Sequence, residues 1–198
     1  MKKVALFATI VLALAMSAAA QQLIDFTQLP PSGVPQPVPN GYGGLRWDSI
    51  DTVNSPLYPD ANLYIGASGA INSGRGFYTG NEAMVAFGGG PLCFHNYGAT
   101  VADGATDKHI CEASISAWDT AVFKPMAAVV SDGWDASGDF ITVTAYNNGK
   151  QVGSSFQYKL STDAKKLDFS KNGWGSITEL VIHPSPLGSF VIYTLQVE

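Results

Sequence analysis

The clearest pattern in the chain is a strict alternation of apolar and polar residues that begins just after Asp139. Ile141, Val143 and Ala145 alternate with threonine and tyrosine residues, and a period of two is typical of a half-buried β-strand. The alternation therefore predicts a strand that rests one face on a hydrophobic core.

The dipeptide Asn148-Gly149 ends this strand and predicts a tight hairpin that returns as far as Leu160. Asn-Gly favours a type I′ turn, because both central residues of that turn need a positive φ. The register that follows pairs Asn147 with Lys150, Ala145 with Val152, Val143 with Ser154, and Ile141 with Phe156. Turn chemistry and hydrophobic pattern agree, since the apolar residues of both arms then share one face.

The rest of the chain consists of short apolar runs separated by glycine, proline, asparagine and serine. Besides the hairpin, strands are expected at 21–29, 82–87, 92–96, 108–118, 120–130, 167–169, 177–183 and 190–197. Pro125 predicts a bend or an edge within its segment. About ten short strands with turn signals between them indicate an all-β, antiparallel, jelly-roll-type β-sandwich with little or no helix.

The first twenty residues have the composition of a secretory signal peptide. Lys2-Lys3 precede an apolar run over 4–16, and alanines end the segment at Ala20. A membrane helix is the alternative, but the run is short and no stop-transfer pattern follows. We expect cleavage before Gln21, which leaves 198 − 20 = 178 residues. The mature protein is then secreted and extracellular, with a single domain at 21–198.

Residues 30–39 contain five prolines in ten positions. Proline lacks an N–H group and prefers extended geometry, so we expect a stiff crossover between sheets with no strand pairing. A ligand for a proline-binding module is the alternative.

Charge excludes some classes of partner. Without Lys2 and Lys3, nine basic residues face sixteen acidic ones, so the mature charge is −7. There is no basic cluster beyond Lys165-Lys166, which argues against nucleic acid and against an anionic membrane as partners of the mature form.

The most distinctive motif is Gly-Tyr-Gly-Gly-Leu-x-Trp, which spans Gly41 to Trp47. With an Asp-Phe pair before it and the proline-rich linker between, the motif resembles a group of small secreted fungal proteins. Exported bacterial proteins with a sorting tail share a related pattern. The resemblance continues at Gly133-Trp134-Asp135 and in the hairpin, and it covers roughly the whole mature chain.

This resemblance implies a galactose-binding-like jelly-roll sandwich and brings no catalytic residues with it. It also implies that a structural calcium ion could lie near the chain ends, where Asp25 and Glu198 are the candidate ligands. Otherwise no cofactor is expected. One departure is Tyr193-Thr194, where relatives often carry an Asp-Asn pair.

Cys93 and Cys111 are the only cysteines, and in an oxidising compartment a disulfide between them is the default. His95 and His109 are placed symmetrically, two residues inside each cysteine. In antiparallel strands the cysteines would face each other, and so would the histidines. The same four side chains could form a zinc site, or the histidine pair alone could bind a surface metal, but we predict the disulfide.

Catalytic motifs are sparse. No Gly-x-Ser-x-Gly elbow occurs in a strand–helix frame. Asp132, Asp135 and Asp139 cluster beside Trp134, which leaves a polysaccharide-active hydrolase as a third hypothesis.

A binding module is the leading functional hypothesis. Aromatic faces stack on sugars while Asp, Asn and Arg bind hydroxyls. Tyr42, Trp47, Trp134 and Asp135 are the predicted ligand-binding residues, whereas Trp118 and Trp174 are assigned to the core. The sequence thus favours a non-catalytic protein that recognises carbohydrate of a cell wall or host surface. The alternative is a secreted effector that binds a cell-surface protein partner.

Overall fold

The computed structural model describes residues 20–31, 36–54, 84–89, 112–119, 121–133, 139–161, 163–185 and 189–198. Two short 3-10 helices lie at Tyr42–Gly44 and Ser170–Asn172. The strands in these ranges are β1 (Gln22–Asp25), β2 (Gln36–Pro37), β3 (Leu45–Asp48), β4 (Asp51–Asn54), β5 (Met84–Gly89), β6 (Ala113–Ala117), β7 (Pro125–Asp132), β8 (Phe140–Asn147), β9 (Lys150–Lys159), β10 (Lys165–Asp168), β11 (Glu179–Pro184) and β12 (Ser189–Val197).

These strands form two antiparallel sheets. The seven-stranded sheet has the order β10-β7-β12-β5-β4-β2. On the side of β12 away from β7, β5 pairs with the first half of β12 and β1 pairs with the second half. The five-stranded sheet has the order β3-β6-β11-β8-β9. Inward residues of both sheets belong to one hydrophobic core, so the predicted all-β antiparallel sandwich is confirmed.

The core follows from the alternation in the sequence. In β8 the residues Ile141, Val143 and Ala145 are buried while their neighbours are half-buried. Phe26 and Phe190 are among the largest fully buried side chains. Each fully buried large apolar side chain contributes about 1.5–3 kcal/mol relative to exposure, so the inward faces hold the two sheets together.

The Asn148-Gly149 hairpin is confirmed at its turn. Both residues have positive φ, 50° and 74°, and Ala145 lies opposite Val152 as predicted. Beyond that pair the predicted register is wrong, because the structure pairs Val143 with Phe156.

A bulge in β9 explains the register error. Two extra residues separate Val152 from Phe156, and Gly153 within the bulge has a φ of 64°. The bulge packs against Trp174, whose Nε1 donates a hydrogen bond to the carbonyl oxygen of Ser154 at 3.3 Å. The bulge brings Phe156 to a ring-centroid distance of 5.6 Å from Trp174.

The proline-rich segment also differs from expectation. We expected no strand pairing over 30–39, but Gln36 and Pro37 pair with β4. This strand is the last in its sheet, and an edge position tolerates proline because no outward N–H is needed. Pro125 opens β7, another position where proline is tolerated, beside a register irregularity in its partner β12.

None of the helices in the described ranges is long and apolar enough to cross a membrane. The predicted signal peptide, apart from its last residue, and the predicted strand at 92–96 lie outside the described residues.

Candidate functional site

The glycine-rich motif around Tyr42 is a structural clamp on the first strand. The Tyr42 hydroxyl donates a hydrogen bond to the backbone carbonyl oxygen of Asp25 at 2.5 Å. The Tyr42 ring stacks on Phe26 with ring centroids 6.0 Å apart. Burial and the nearby Asp25 carboxylate raise the pKa of this hydroxyl, so it stays a hydrogen-bond donor at neutral pH.

Trp47 completes the clamp from inside the core, which corrects its assignment as a ligand-binding residue. The indole is 4% exposed and meets Phe26 edge to face at 5.5 Å. Its Nε1 donates a hydrogen bond to the carbonyl oxygen of Tyr42 at 2.9 Å. A ring enclosed in this way has no face available to stack on a sugar. The motif therefore joins β1 to β3. The Asp25-Phe26 pair that precedes it in the sequence is its contact partner in the fold.

Six of the predicted site residues belong to other parts of the chain. Trp134 and Asp135 lie outside the described residues, as do the predicted disulfide partners Cys93 and Cys111. The same holds for His95 and His109.

The predicted calcium ligands do not converge. Asp25 pairs with Thr194 at one end of the β1–β12 ladder, whereas Gln22 pairs with Val197 at the other. Glu198 follows at that far end, so about 13 Å of strand separates the two acids. Glu198 instead contacts Lys124 Nζ at 2.7 Å. Within the described ranges, no group of three or more His, Cys, Asp or Glu side chains could hold a metal ion.

Two of the three clustered aspartates lie at one end of the sandwich. Asp132 is 2% exposed, and its backbone N–H bonds the carbonyl oxygen of Ser161. Asp139 accepts a hydrogen bond from Ser185 Oγ at 3.0 Å, and burial raises the pKa of its carboxyl group. The Asp132 residue is therefore enclosed, whereas Asp139 is half-buried.

The Asp139 carboxyl group should make the protein more stable in acid. Its pKa is raised by folding, so the stabilisation is complete below the unfolded pKa of about 3.9 and is lost as pH rises through the folded value. We expect Asp139→Asn to raise the thermal midpoint at pH 7 and to have no such effect near pH 4.

Asp168→Asn is the matched control, because hydrogen bonds from Ser170 lower the pKa of Asp168. Its stabilisation is present above the unfolded pKa and lost in acid, so the control should lower the midpoint at pH 7. Thermal unfolding between pH 4 and pH 7 tests both signs. Equal shifts of the midpoint at all pH values for Asp139→Asn would contradict the assignment.

The outer surface of the five-stranded sheet is the best candidate for a binding site. We call it the open face, because none of its described side chains is buried. Most of them are hydroxyls, amides or charged groups. The open face comprises Arg46, Asp48, Ser114, Ser116, Trp118, Phe140, Thr142, Thr144, Tyr146, Gln151, Ser155, Gln157, Lys159, Glu179, Val181 and His183.

The outer surface of the other sheet is different. On that side Ala127, Ser131 and Val191 are 6%, 1% and 0% exposed, so part of the seven-stranded sheet is covered. Antiparallel sheets commonly pack one face on the core and leave the other to solvent. Here only the five-stranded sheet offers such a broad solvated face among the described strands.

Two contacts join ionisable groups on or beside the open face. Arg46 Nε lies 3.0 Å from Asp48 Oδ2, and His183 Nδ1 lies 3.5 Å from Glu112 Oε1. Exposed pairs of this kind contribute little to stability.

Trp118 is the most exposed aromatic side chain of the open face, and its assignment to the core is wrong. The indole is 46% exposed. Its inner side packs near Gly41, where a Cβ atom would lie 3.7 Å from Nε1, and its backbone N–H bonds the carbonyl oxygen of Gly44. Trp118 is thus an anchored ring with a free side. Trp174 is 4% exposed, so its assignment to the core is confirmed.

The sequence carried signals for both tryptophans that were missed. Alternation over Leu45, Arg46 and Trp47 places the tryptophan inward with the leucine. Alternation over residues 113–118 places Trp118 outward with Ser114 and Ser116. The period of two therefore sorted the rings correctly, whereas the flanking glycines did not.

No protein-family model matches the sequence, and no curated protein matches it. Among solved structures, a DUF4465 family protein from Bacteroides caccae is similar, with a TM-score of 0.54 and 9% identity over 90% of this chain and 99% of that one.

Two further structures resemble the chain more weakly. A family two carbohydrate esterase from Cellvibrio japonicus has a TM-score of 0.40 and 10% identity, over 90% of this chain and 33% of that one. TmCBM61 in complex with β-1,4-galactotriose has a TM-score of 0.32 and 10% identity, over 80% of this chain and 93% of that one. At such low identity, the DUF4465 match supports the sandwich fold alone.

Proposed function

We propose that this chain is a secreted, non-catalytic protein that binds carbohydrate of a cell wall or host surface through its open face. The observation that carries the proposal is the exposed indole of Trp118 beside a broad surface of hydroxyl and amide groups. The motif from Gly41 to Trp47 resembles that of small secreted fungal proteins, for which an extracellular glycan is an accessible partner, and this resemblance supports the proposal.

The chemistry of a sugar matches this surface. Pyranose rings present apolar C–H patches that stack on aromatic faces, and their hydroxyls need donors and acceptors. Trp118 supplies an aromatic face. Hydroxyl groups lie on the two strands that flank β11, from Ser114 and Ser116 on β6 and from Thr142 and Thr144 on β8. A polar sheet with one large exposed ring fits a sugar better than it fits an apolar ligand.

The alternative of a protein partner has less support. Leu23 and Val122 are the other exposed large apolar residues of the described chain, at 63% and 51%. Leu23 belongs to the opposite sheet, and Val122 lies just before β7. Single exposed apolar residues are normal on protein surfaces, so neither defines an apolar interface.

A glycan array on the secreted protein tests the proposal. We expect binding to neutral glycans, and we expect Trp118→Ala to weaken that binding about tenfold or more, because stacking adds about 1 kcal/mol to the energy of the buried area. The thermal midpoint should change little, since the ring is half exposed.

Leu23→Ala is the control, because it removes an exposed apolar side chain from the other sheet. It should leave glycan binding unchanged. Binding that survives Trp118→Ala intact would remove the open face from consideration, and an array with no bound glycan would refute the proposed function.

A further inference from the structure

The open face carries a second aromatic ring at a defined offset from Trp118. Tyr146 in β8 is half-buried and faces outward, since its neighbour Ala145 faces the core. One cross-strand row joins Ser116, Glu179 and Tyr146 on β6, β11 and β8. Trp118 follows β6, two residues beyond Ser116, and the alternation of this segment puts it on the same side as Ser116.

This register sets the spacing of the two rings. The position of Tyr146 is two strands away from that of Trp118 across the sheet, and it is displaced by two residues along the strand direction. With strands about 4.8 Å apart and about 3.4 Å of rise per residue, the two positions are about 12 Å apart. A strand spacing is close to the length of one sugar in an extended chain, so the backbone positions of the two aromatic residues are about two sugars apart.

We propose, on the basis of the proposed function, that the open face binds an extended, linear, uncharged β-1,4-linked polysaccharide that runs diagonally across β6, β11 and β8. In such a chain alternate sugars present the same face. Two rings at this offset can therefore stack on the first and third sugars of one chain, and a trisaccharide is the shortest ligand that contacts both.

Glu179 lies between the two rings and supplies the polar contact for the middle sugar. It pairs with Ser116 on one side and with Tyr146 on the other. No hydrogen bond or ion pair of its carboxylate is seen in the part of the chain that the structure describes. A carboxylate at this position accepts hydrogen bonds from sugar hydroxyls and repels the carboxylates of uronic acids, which makes the preferred chain neutral.

Calorimetric titration with homologous β-1,4-linked oligosaccharides of glucose, mannose, xylose and galactose, from one to six sugars, tests the inference. In the series that binds, we expect affinity to rise about tenfold or more from the disaccharide to the trisaccharide, as the second ring becomes engaged. Further sugars should add less than about threefold each.

Variants assign the step to its ring. Tyr146→Ala should lower trisaccharide affinity to the disaccharide level and leave disaccharide affinity unchanged, whereas Tyr146→Phe should keep the step. Glu179→Gln should allow uronic-acid oligosaccharides to bind with affinity closer to that of the neutral series. Leu23→Ala, on the other sheet, is the control that should change none of these values.

The outcomes separate the inference from the proposed function. An array-positive protein that binds none of these series, or whose affinity rises without a step at three sugars, overturns the inference and leaves carbohydrate binding intact. A step that persists in Tyr146→Ala also overturns it. Absence of any glycan binding overturns both.

Discussion

Replacing Trp47 with alanine is expected to lower the free energy of unfolding by about 3–5 kcal/mol, the usual cost of truncating a buried large aromatic side chain. The indole is 4% exposed and packs edge to face on Phe26. Its removal leaves a cavity beside Phe26 and deprives the Tyr42 carbonyl oxygen of the Nε1 donor. Urea denaturation followed by far-ultraviolet circular dichroism measures the loss.

Trp118→Ala is the matched comparison, because it deletes the same side chain from the surface. It should cost about 1 kcal/mol or less, since surface substitutions have small effects on stability. Similar losses for the two variants would contradict the burial difference between the rings. Trp47→Phe, which keeps an aromatic ring but loses the Nε1 donor, should fall between them.

This comparison shows what local sequence pattern can and cannot provide. Alternation predicted the strand β8 and the antiparallel class, because both depend on neighbours two residues apart. The glycines that precede Trp47 suggested an exposed ring. Gly41, Gly43 and Gly44 indicate only that the backbone turns there, and they carry no information on whether a neighbouring side chain is buried. The Trp47 ring is buried because Phe26, which follows β1, packs against it. The position of Phe26 depends on the pairing of β1 with β12, which lies at the other end of the chain.

The open face contains none of the ligand-binding residues that were predicted from the sequence. Its members come from β3, β6, β11, β8 and β9, and their juxtaposition depends on a strand order that local periodicity does not encode. The predicted pair Tyr42 and Trp47 lies on the opposite, inward side of the same edge, where it stabilises the fold.

The hairpin register failed for a related reason. Its turn is encoded locally by Asn148-Gly149, and the first pairs follow the turn. The bulge at Gly153 exists because Trp174, about twenty residues further along, packs against that backbone. Glycine within a strand often marks a bulge or a close approach, but the sequence of β9 does not indicate which residue packs against it.

Replacing Gly153 with alanine is therefore expected to destabilise the protein by about 2–5 kcal/mol. About 1–2 kcal/mol comes from placing a Cβ atom on a residue with left-handed backbone, since φ is 64°. Another 1–3 kcal/mol or so comes from overpacking, because the added Cβ atom would lie 2.9 Å from Trp174 Cδ1 and 3.2 Å from the Asn172 carbonyl oxygen.

Gly175→Ala separates the two causes. Gly175 has nearly the same φ, 61°, but an added Cβ atom meets nothing within 4 Å. This control should lose only the backbone contribution of about 1–2 kcal/mol, so the difference between the two variants measures the steric contact. Urea denaturation of both proteins gives that difference.

A double-mutant cycle with Trp174 tests whether its side chain causes the overpacking. In a Trp174→Leu background the indole is absent, so Gly153→Ala should cost less than it does in the parent protein, and the double-mutant cycle should show an interaction energy of about 1 kcal/mol or more. Equal costs of Gly153→Ala and Gly175→Ala, together with a cycle that closes to zero, would show that the bulge does not depend on its contact with Trp174.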